Sequence, residues 1–202
     1  MRSIDPQTNT ERDNYKFLTG SIIPRPIAFV TTLSEAGVLN GAPFSYFNIV
    51  SSNPPLISLS IQRSEGKLKD TARNILGKKE FVVHIVDEQN VEKVNQTAAS
   101  LPSHKSEIDL AGLTPVKSSK LSVPGVLQAK IRMECQLEQA LELGGGDSPG
   151  CDLIIGKVMQ FHIEDEIYQD GRIDPLGLAA VSRLAGANYA KLGSTFEIER
   201  PK

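Results

Sequence analysis

Three short segments carry the residues best suited to chemistry. The first runs Ala42-Pro43-Phe44-Ser45-Tyr46-Phe47-Asn48-Ile49-Val50-Ser51-Ser52-Asn53 before Pro54 and Pro55. Phe44, Ser45, Asn48, Ser51 and Ser52 combine aromatic surface, hydroxyls and an amide with stiff backbone. A planar heterocycle bearing a phosphate needs that mixture: backbone groups along a ring edge and short hydroxyls for the anion. The second runs from Arg63 to Thr71, where Lys69, Asp70 and Thr71 stand at the expected start of a helix. Open N–H groups at a helix start, a Thr hydroxyl and a nearby cation together suit a phosphate. The third is Arg25, held between Pro24 and Pro26, which suits an anion or a partner subunit as well as an ordinary surface position. Each segment has a plainer reading: a strand and turn, a solvated loop with an Asp helix cap, and a surface Arg at a strand start. On residue types alone the plainer reading is the stronger one for the first two.

The remaining candidates are fewer. His84 sits inside an apolar run and reads as a satisfied buried histidine, His104 as a solvated one, and His162 ends a strand. No two of these can be placed together, so no metal site is expected. Gly144-Gly145-Gly146 opens no helix, so it reads as a hairpin tip, with a lid as an alternative, rather than a phosphate loop. Cys151, alone at a strand start, reads as a small buried hydrophobe.

These segments need elements to position them. Ile27–Leu33 is β-branched and apolar after two prolines, and Ser34-Glu35-Ala36-Gly37 reads as its turn into a second extended stretch, Val38–Asn48. Leu56–Ile61 alternates Ser58 and Ser60 with Ile57, Leu59 and Ile61, which predicts a strand with one more polar face. A short helix over Ala72–Leu76 stopped by Gly77, a strand over Phe81–Val86 and a helix over Asp87–Ala99 follow. Val126–Leu141 and Cys151–Ile163 read as the longest hairpin. Many strands at short spacing with few helices predict a mainly β protein with helical decoration, a barrel rather than a doubly wound parallel sheet.

Composition narrows the function. Twenty-two Lys and Arg against 24 Asp and Glu give a net charge of -2, which argues against binding a nucleic-acid backbone. No apolar run approaches the roughly 20 residues that span a bilayer. Two cysteines and a polar start without a signal-like apolar run lead to the expectation of a cytoplasmic protein.

Taken in order, the motifs resemble the flavin reductase-like family of FMN-binding split barrels, which includes flavoredoxins. They are Pro24-Arg25-Pro26-Ile27-Ala28, Val30-Thr31-Thr32, Ala42–Asn48, Ser51–Pro55, Lys69-Asp70-Thr71 with Asn74-Ile75, and Glu80–His84. Gly156-Lys157-Val158 with His162, Gly171–Asp174 and Arg183–Gly186 before Tyr189 continue the series, from about Tyr15 to Tyr189. The resemblance implies a six-stranded Greek-key split barrel, one domain over 1–202 with the barrel at about 20–165 and a tail over 166–202. It implies a homodimer with FMN, or FAD, near the interface. Thr31 and Thr32 would lie near the ring, and Phe44, Ser45 and Asn48 would line the ring or its side chain. Ser51, Ser52, Arg63, Lys69, Asp70 and Thr71 would serve the phosphate side, His162 would lie near the flavin, and Tyr189 would reach the partner's site.

The resemblance further implies an oxidoreductase that passes electrons from NAD(P)H through flavin to a small-molecule or protein acceptor. One departure bears on that. Some distant relatives carry a Gly-Asp-His step on the nicotinamide side, whereas here Cys151 or Asp152 stands at that place. A flavin-binding electron carrier or storage protein without a nicotinamide site is the alternative, and a β-barrel interaction module is the reading outside flavin chemistry.

Overall fold

Seven strands pair antiparallel in one sheet: β1 Ala28–Leu33, β2 Leu39–Phe44, β3 Phe47–Ser52, β4 Pro55–Gln62, β5 Glu80–Ile85, β6 Ile131–Leu143 and β7 Cys151–Ile163. The computed structural model describes residues 1–146 and 148–201, so Asp147 in the glycine-rich turn lies outside the described residues. Sheet order is β2-β1-β5-β6-β7-β4-β3. The two edge strands, β2 and β3, are consecutive in the chain and joined only by Ser45 and Tyr46. A two-residue link cannot cross the width of seven strands, so the sheet curls to bring the end of β2 near the start of β3. The Ser60 N–H of β4 donates to the Tyr46 carbonyl at 2.8 Å and ties the link to the sheet.

Seven strands stand where six were expected. The difference arises at Ser45-Tyr46: the stretch over Val38–Asn48 is not one strand but the end of β2 and the start of β3. Gly41, in turn, keeps its place within β2. A Cβ there would lie 2.5 Å from Ile108 Cδ1 and 2.9 Å from Phe29 Cζ, so core side chains fill the space that a larger residue would need.

Period-two alternation sends Val30, Phe44, Leu59, Ile61, Phe81, Val83, Cys135 and Ile154 into one core inside the curled sheet. The opposite face of β1 buries Phe29, and Val86 just beyond β5 joins it, against Val94, Ile108, Leu113 and Val126 from the chain between β5 and β6. Helix α1, Glu11–Ser21, begins with Thr10 accepting from the Asp13 N–H at 3.1 Å. Helix α2, Asp70–Lys78, packs beside the inner core through Ala72 and Ile75. It runs through Gly77, where a stop was expected, and ends at Lys79 in the left-handed region (φ 62°).

The helix expected over Asp87–Ala99 is only α3, Val91–Gln96, because Asp87 Oδ1 accepts from the Gln89 and Asn90 N–H groups and makes a turn first. Val126 does not belong to β6 but to a two-residue strand with Gly125. Beyond β7, Val181–Arg183 pairs with both Arg25–Pro26 and Tyr189–Lys191, so the tail straps back onto the segment that leads into β1. No described helix is long and apolar enough to cross a membrane.

Candidate functional site

The outer face of β4 carries Ser58, Ser60 and Gln62, because Ile57, Leu59 and Ile61 alternate inward. Asn48 of β3 lies opposite Ser58, and Leu153 and Ile155 of β7 lie opposite Ser60 and Ser58. The result is an open strip with hydroxyls along its middle, aliphatic surface on one side and an amide on the other. Ser58 donates to the Asn48 carbonyl at 3.4 Å, and Gln62 Nε2 donates to Ser60 Oγ at 3.2 Å. Asn48 Oδ1 accepts from the Ile49 N–H at 2.8 Å, and Ser51 Oγ accepts from the Asn53 N–H at 3.2 Å. Strand β3 is a sheet edge, so alternate backbone groups along it face away from β4, and one of them, the Ile49 N–H, is taken by Asn48 Oδ1.

Beyond Gln62 the chain continues through Arg63 to the start of α2. Residues Ser64–Lys67 form a tight turn closed at 2.9 Å, with Glu65 and Gly66 both at positive φ (52° and 72°). Lys69 occupies the N-cap position of α2 and gives no side-chain cap, so the first N–H groups of the helix are left open at an exposed Lys. Asp70 faces its own helix, its carboxylate bound by Arg73 Nη1 at 2.6 Å.

Other candidates turn inward. Thr71 donates to Asn40 Oδ1 at 3.0 Å, Thr32 donates to the same oxygen at 3.3 Å, and Asn74 donates to Thr32 at 3.0 Å. Asn40 Nδ2 completes the network on Glu107 at 2.9 Å. Thr31 donates to the Pro124 carbonyl at 2.7 Å. These three hydroxyls are therefore engaged within the fold. Arg25 is buried too: its guanidinium donates to the Thr19 and Ile22 carbonyls at 2.7 and 2.6 Å and to Leu184 at 2.9 Å. It neutralises the C-terminal end of α1 and pins the tail strap. Phe44 belongs to the inner core.

His162 meets Glu134 at 2.6 Å on the β6–β7 pair. Burial alone pushes the Glu134 carboxyl up, but the Ser119 and Lys120 N–H groups and His162 together hold it below its ordinary value. Tyr189 lies on α3, donating to Asn95 at 3.1 Å, with the Arg183 guanidinium 4.4 Å from its ring centre. Ser45 and Asn48 thus lie in β3 and its link to β2, Arg63 and Lys69 follow the end of β4, and Ser51 and Ser52 sit opposite Leu56 and Pro55 at the other end of β4. Thr31, His162 and Tyr189 have their partners elsewhere in the fold, whereas the Arg25–Pro26 segment contacts β3.

A family model described as "Flavin reductase like domain" matches residues 19–177. The chain belongs to that family. Among solved structures, this flavin reductase-like chain is similar to nitrilotriacetate monooxygenase component B from Bacillus cereus, with 61% identity, 98% of each chain covered and a TM-score of 0.97. It is also similar to the 2-nitrobenzoate 2-nitroreductase of Pseudomonas fluorescens, at 28% identity, 99% and 96% coverage and a TM-score of 0.89. A protein of Halalkalibacterium halodurans without an assigned function is 48% identical over 200 residues, covering 98% of this chain and 96% of the other.

Within this flavin reductase-like fold, two groups of site residues escape a reading of the motifs. Ser58, Ser60 and Gln62 had a signal, the alternation along β4, but that signal speaks of a strand face and not of what lies on it. Asp152 and Glu142, which bind Arg63, had none, because 89 residues separate Arg63 from Asp152.

Proposed function

We propose that the protein binds FMN along the outer face of β3 and β4, with the phosphate at the start of α2, and works as a flavin-dependent oxidoreductase. The observation that carries this is the polar strip of Asn48, Ser58, Ser60 and Gln62, from which the chain continues through Arg63 to the uncapped α2 start at Lys69. Its donor set fits the cofactor. Outward backbone groups on β3 and the amide of Asn48 match a ring edge. Leu153 and Ile155 match a ring face, and open helix N–H groups with a cation match a phosphate. FAD shares these parts and fits the same frame. Family membership and the oxidoreductase names of the two similar structures point the same way.

Bound flavin supplies the two-electron carrier; this chain binds it, orients it and sets its surroundings. Ser45 and Asn48 are assigned to the ring side and Lys69 to the phosphate, whereas Ser51 and Ser52 pair with Leu56 and Pro55 at the end of β4 remote from Arg63. Reduced nicotinamide, NADH or NADPH, is the proposed donor, and a small molecule or a protein the acceptor. We further propose a homodimer, because Ile49 is 77% exposed and Val50, Met159 and Phe161 add apolar surface on the same strands and their neighbours.

A second reading, an electron carrier without a nicotinamide site, is favoured by one observation. Where a nicotinamide-side histidine would stand, Cys151 is half-buried and the Asp152 carboxylate is taken by Arg63. The test is an absorption spectrum of protein reconstituted with FMN, before and after anaerobic NADH and then NADPH. Rapid bleaching supports the reductase; flavin bands that persist support the carrier; failure to bind flavin overturns both.

A further inference from the structure

Arg63 follows Gln62 at the end of β4, yet its side chain is almost wholly buried. Its Nε donates to Asp152 Oδ2 at 2.9 Å and its Nη2 to Asp152 Oδ1 at 2.6 Å, a two-pronged pairing. The same Nη2 lies 2.9 Å from Glu142 Oε1. Asp152 is almost wholly buried, so the pair is fixed and poorly screened. Two carboxylates on one guanidinium leave no net positive field for a third anion.

The backbone of the same residue is held as firmly. The Arg63 N–H donates to the Gly150 carbonyl at 2.8 Å. The Ser64–Lys67 turn that follows presses on the other side of the hairpin tip: a Cβ on Gly66 would lie 3.0 Å from Ser148 Oγ. Leu68 then anchors in the inner core, and its carbonyl accepts from Arg73 Nη2 at 3.3 Å. Segment 64–69 is thus clamped at both ends, with Lys67 and Lys69 left exposed between the clamps.

We infer that Arg63 is a positioning residue that, locked to Asp152 of the β6–β7 hairpin, fixes the Ser64–Lys69 segment for the flavin phosphate and so makes the site select FMN over riboflavin. This rests on the proposed flavin site. A pre-ordered loop binds an anion without losing its own conformational freedom at that moment, so loosening the clamp costs affinity for the phosphate and not for the ring. The position that departs from the Gly-Asp-His pattern gains a use: its carboxylate buttresses the phosphate segment.

The experiment is a fluorescence titration of FMN and of riboflavin into wild type, Asp152→Asn, Arg63→Lys and Glu142→Gln. Thermal midpoints are measured alongside. We expect wild type to prefer FMN. Asp152→Asn and Arg63→Lys should each lose about tenfold in FMN affinity, the scale of one charge-assisted contact, with riboflavin changed less than about twofold. Glu142→Gln, at the exposed rim, should move the ratio in the same direction by less and leaves the fold intact if Asp152→Asn does not. Unchanged or tighter FMN binding in Asp152→Asn would show the freed guanidinium to be a phosphate ligand itself and overturn the inference. Equal losses for both flavins would overturn it as general damage. Wild type that binds FMN no better than riboflavin removes the selectivity alone, whereas wild type that binds neither removes the site reading on which it stands.

Discussion

The Phe81 ring of β5 occupies the space where residue 156 of β7 would carry a side chain: a Cβ on Gly156 would lie 2.4 Å from Phe81 Cζ. Gly156 is also where the β6–β7 register shifts, so the strand bends over the ring. Phe81 is fully buried and has nowhere to retreat. Gly156→Ala is therefore expected to destabilise the protein by about 1–3 kcal/mol through overpacking. Urea unfolding reads this as a lower midpoint at unchanged slope, and a midpoint equal to wild type would contradict it.

His84 ties acid sensitivity to one buried ring. Its Nδ1 donates to the Phe29 carbonyl at 2.9 Å and its Nε2 accepts from the Val126 N–H at 2.9 Å, an arrangement that only the neutral ring can make. Burial pushes its pKa from 6.5 down to about 3, against the Phe29 hydrogen bond. Between those values the unfolded chain holds a proton that the folded chain does not, so stability rises with pH and is lost as acid is added. The loss is about 1.4 kcal/mol per pH unit from near 6.5 down to near 3. Denaturation at pH 7 and pH 5 should show a smaller pH difference in His84→Gln than in wild type; equal differences would remove His84 as the cause.

Lys69 and Thr71 are two residues apart and should behave differently. Lys69→Ala is expected to weaken FMN binding about fivefold to tenfold with no change in unfolding midpoint, because an exposed cation is lost. Thr71→Val is expected to cost about 1 kcal/mol of stability, because Asn40 Oδ1 loses its closer donor inside the fold. Titration and unfolding on both variants check the separation. A Thr71→Val protein of normal stability that loses FMN would place Thr71 on the phosphate instead.

The exposed edge of β3 makes a prediction about assembly. Light scattering at micromolar concentration is expected to give the mass of two chains, and Ile49→Asp is expected to shift it toward one. A wild-type monomer that binds FMN would contradict the proposed dimer.

Much of the architecture was legible in the sequence because it rests on short-range rules. Cys151–Ile163 is a strand over the expected residues, and β4 shows its polar face in the alternation of Ser58 and Ser60 with Ile57, Leu59 and Ile61. The helix over Ala72–Leu76 was legible in its residues, but the cap expected of Asp70 does not form: Lys69 holds the N-cap position and Asp70 binds Arg73. The motif series also sufficed to recognise the family. Tertiary structure alone decided which of those residues face the strip. Thr31, Thr32 and Thr71 look like ligand hydroxyls as residue types, but long-range packing turns them onto Pro124, Asn40 and the network beneath. Arg63 looks like a phosphate cation until β7 brings Asp152 to it from 89 residues away. A hydroxyl or a guanidinium takes whichever partner the fold places within reach. Residue type sets what it can bind, and only the pairing of distant strands sets what it does bind.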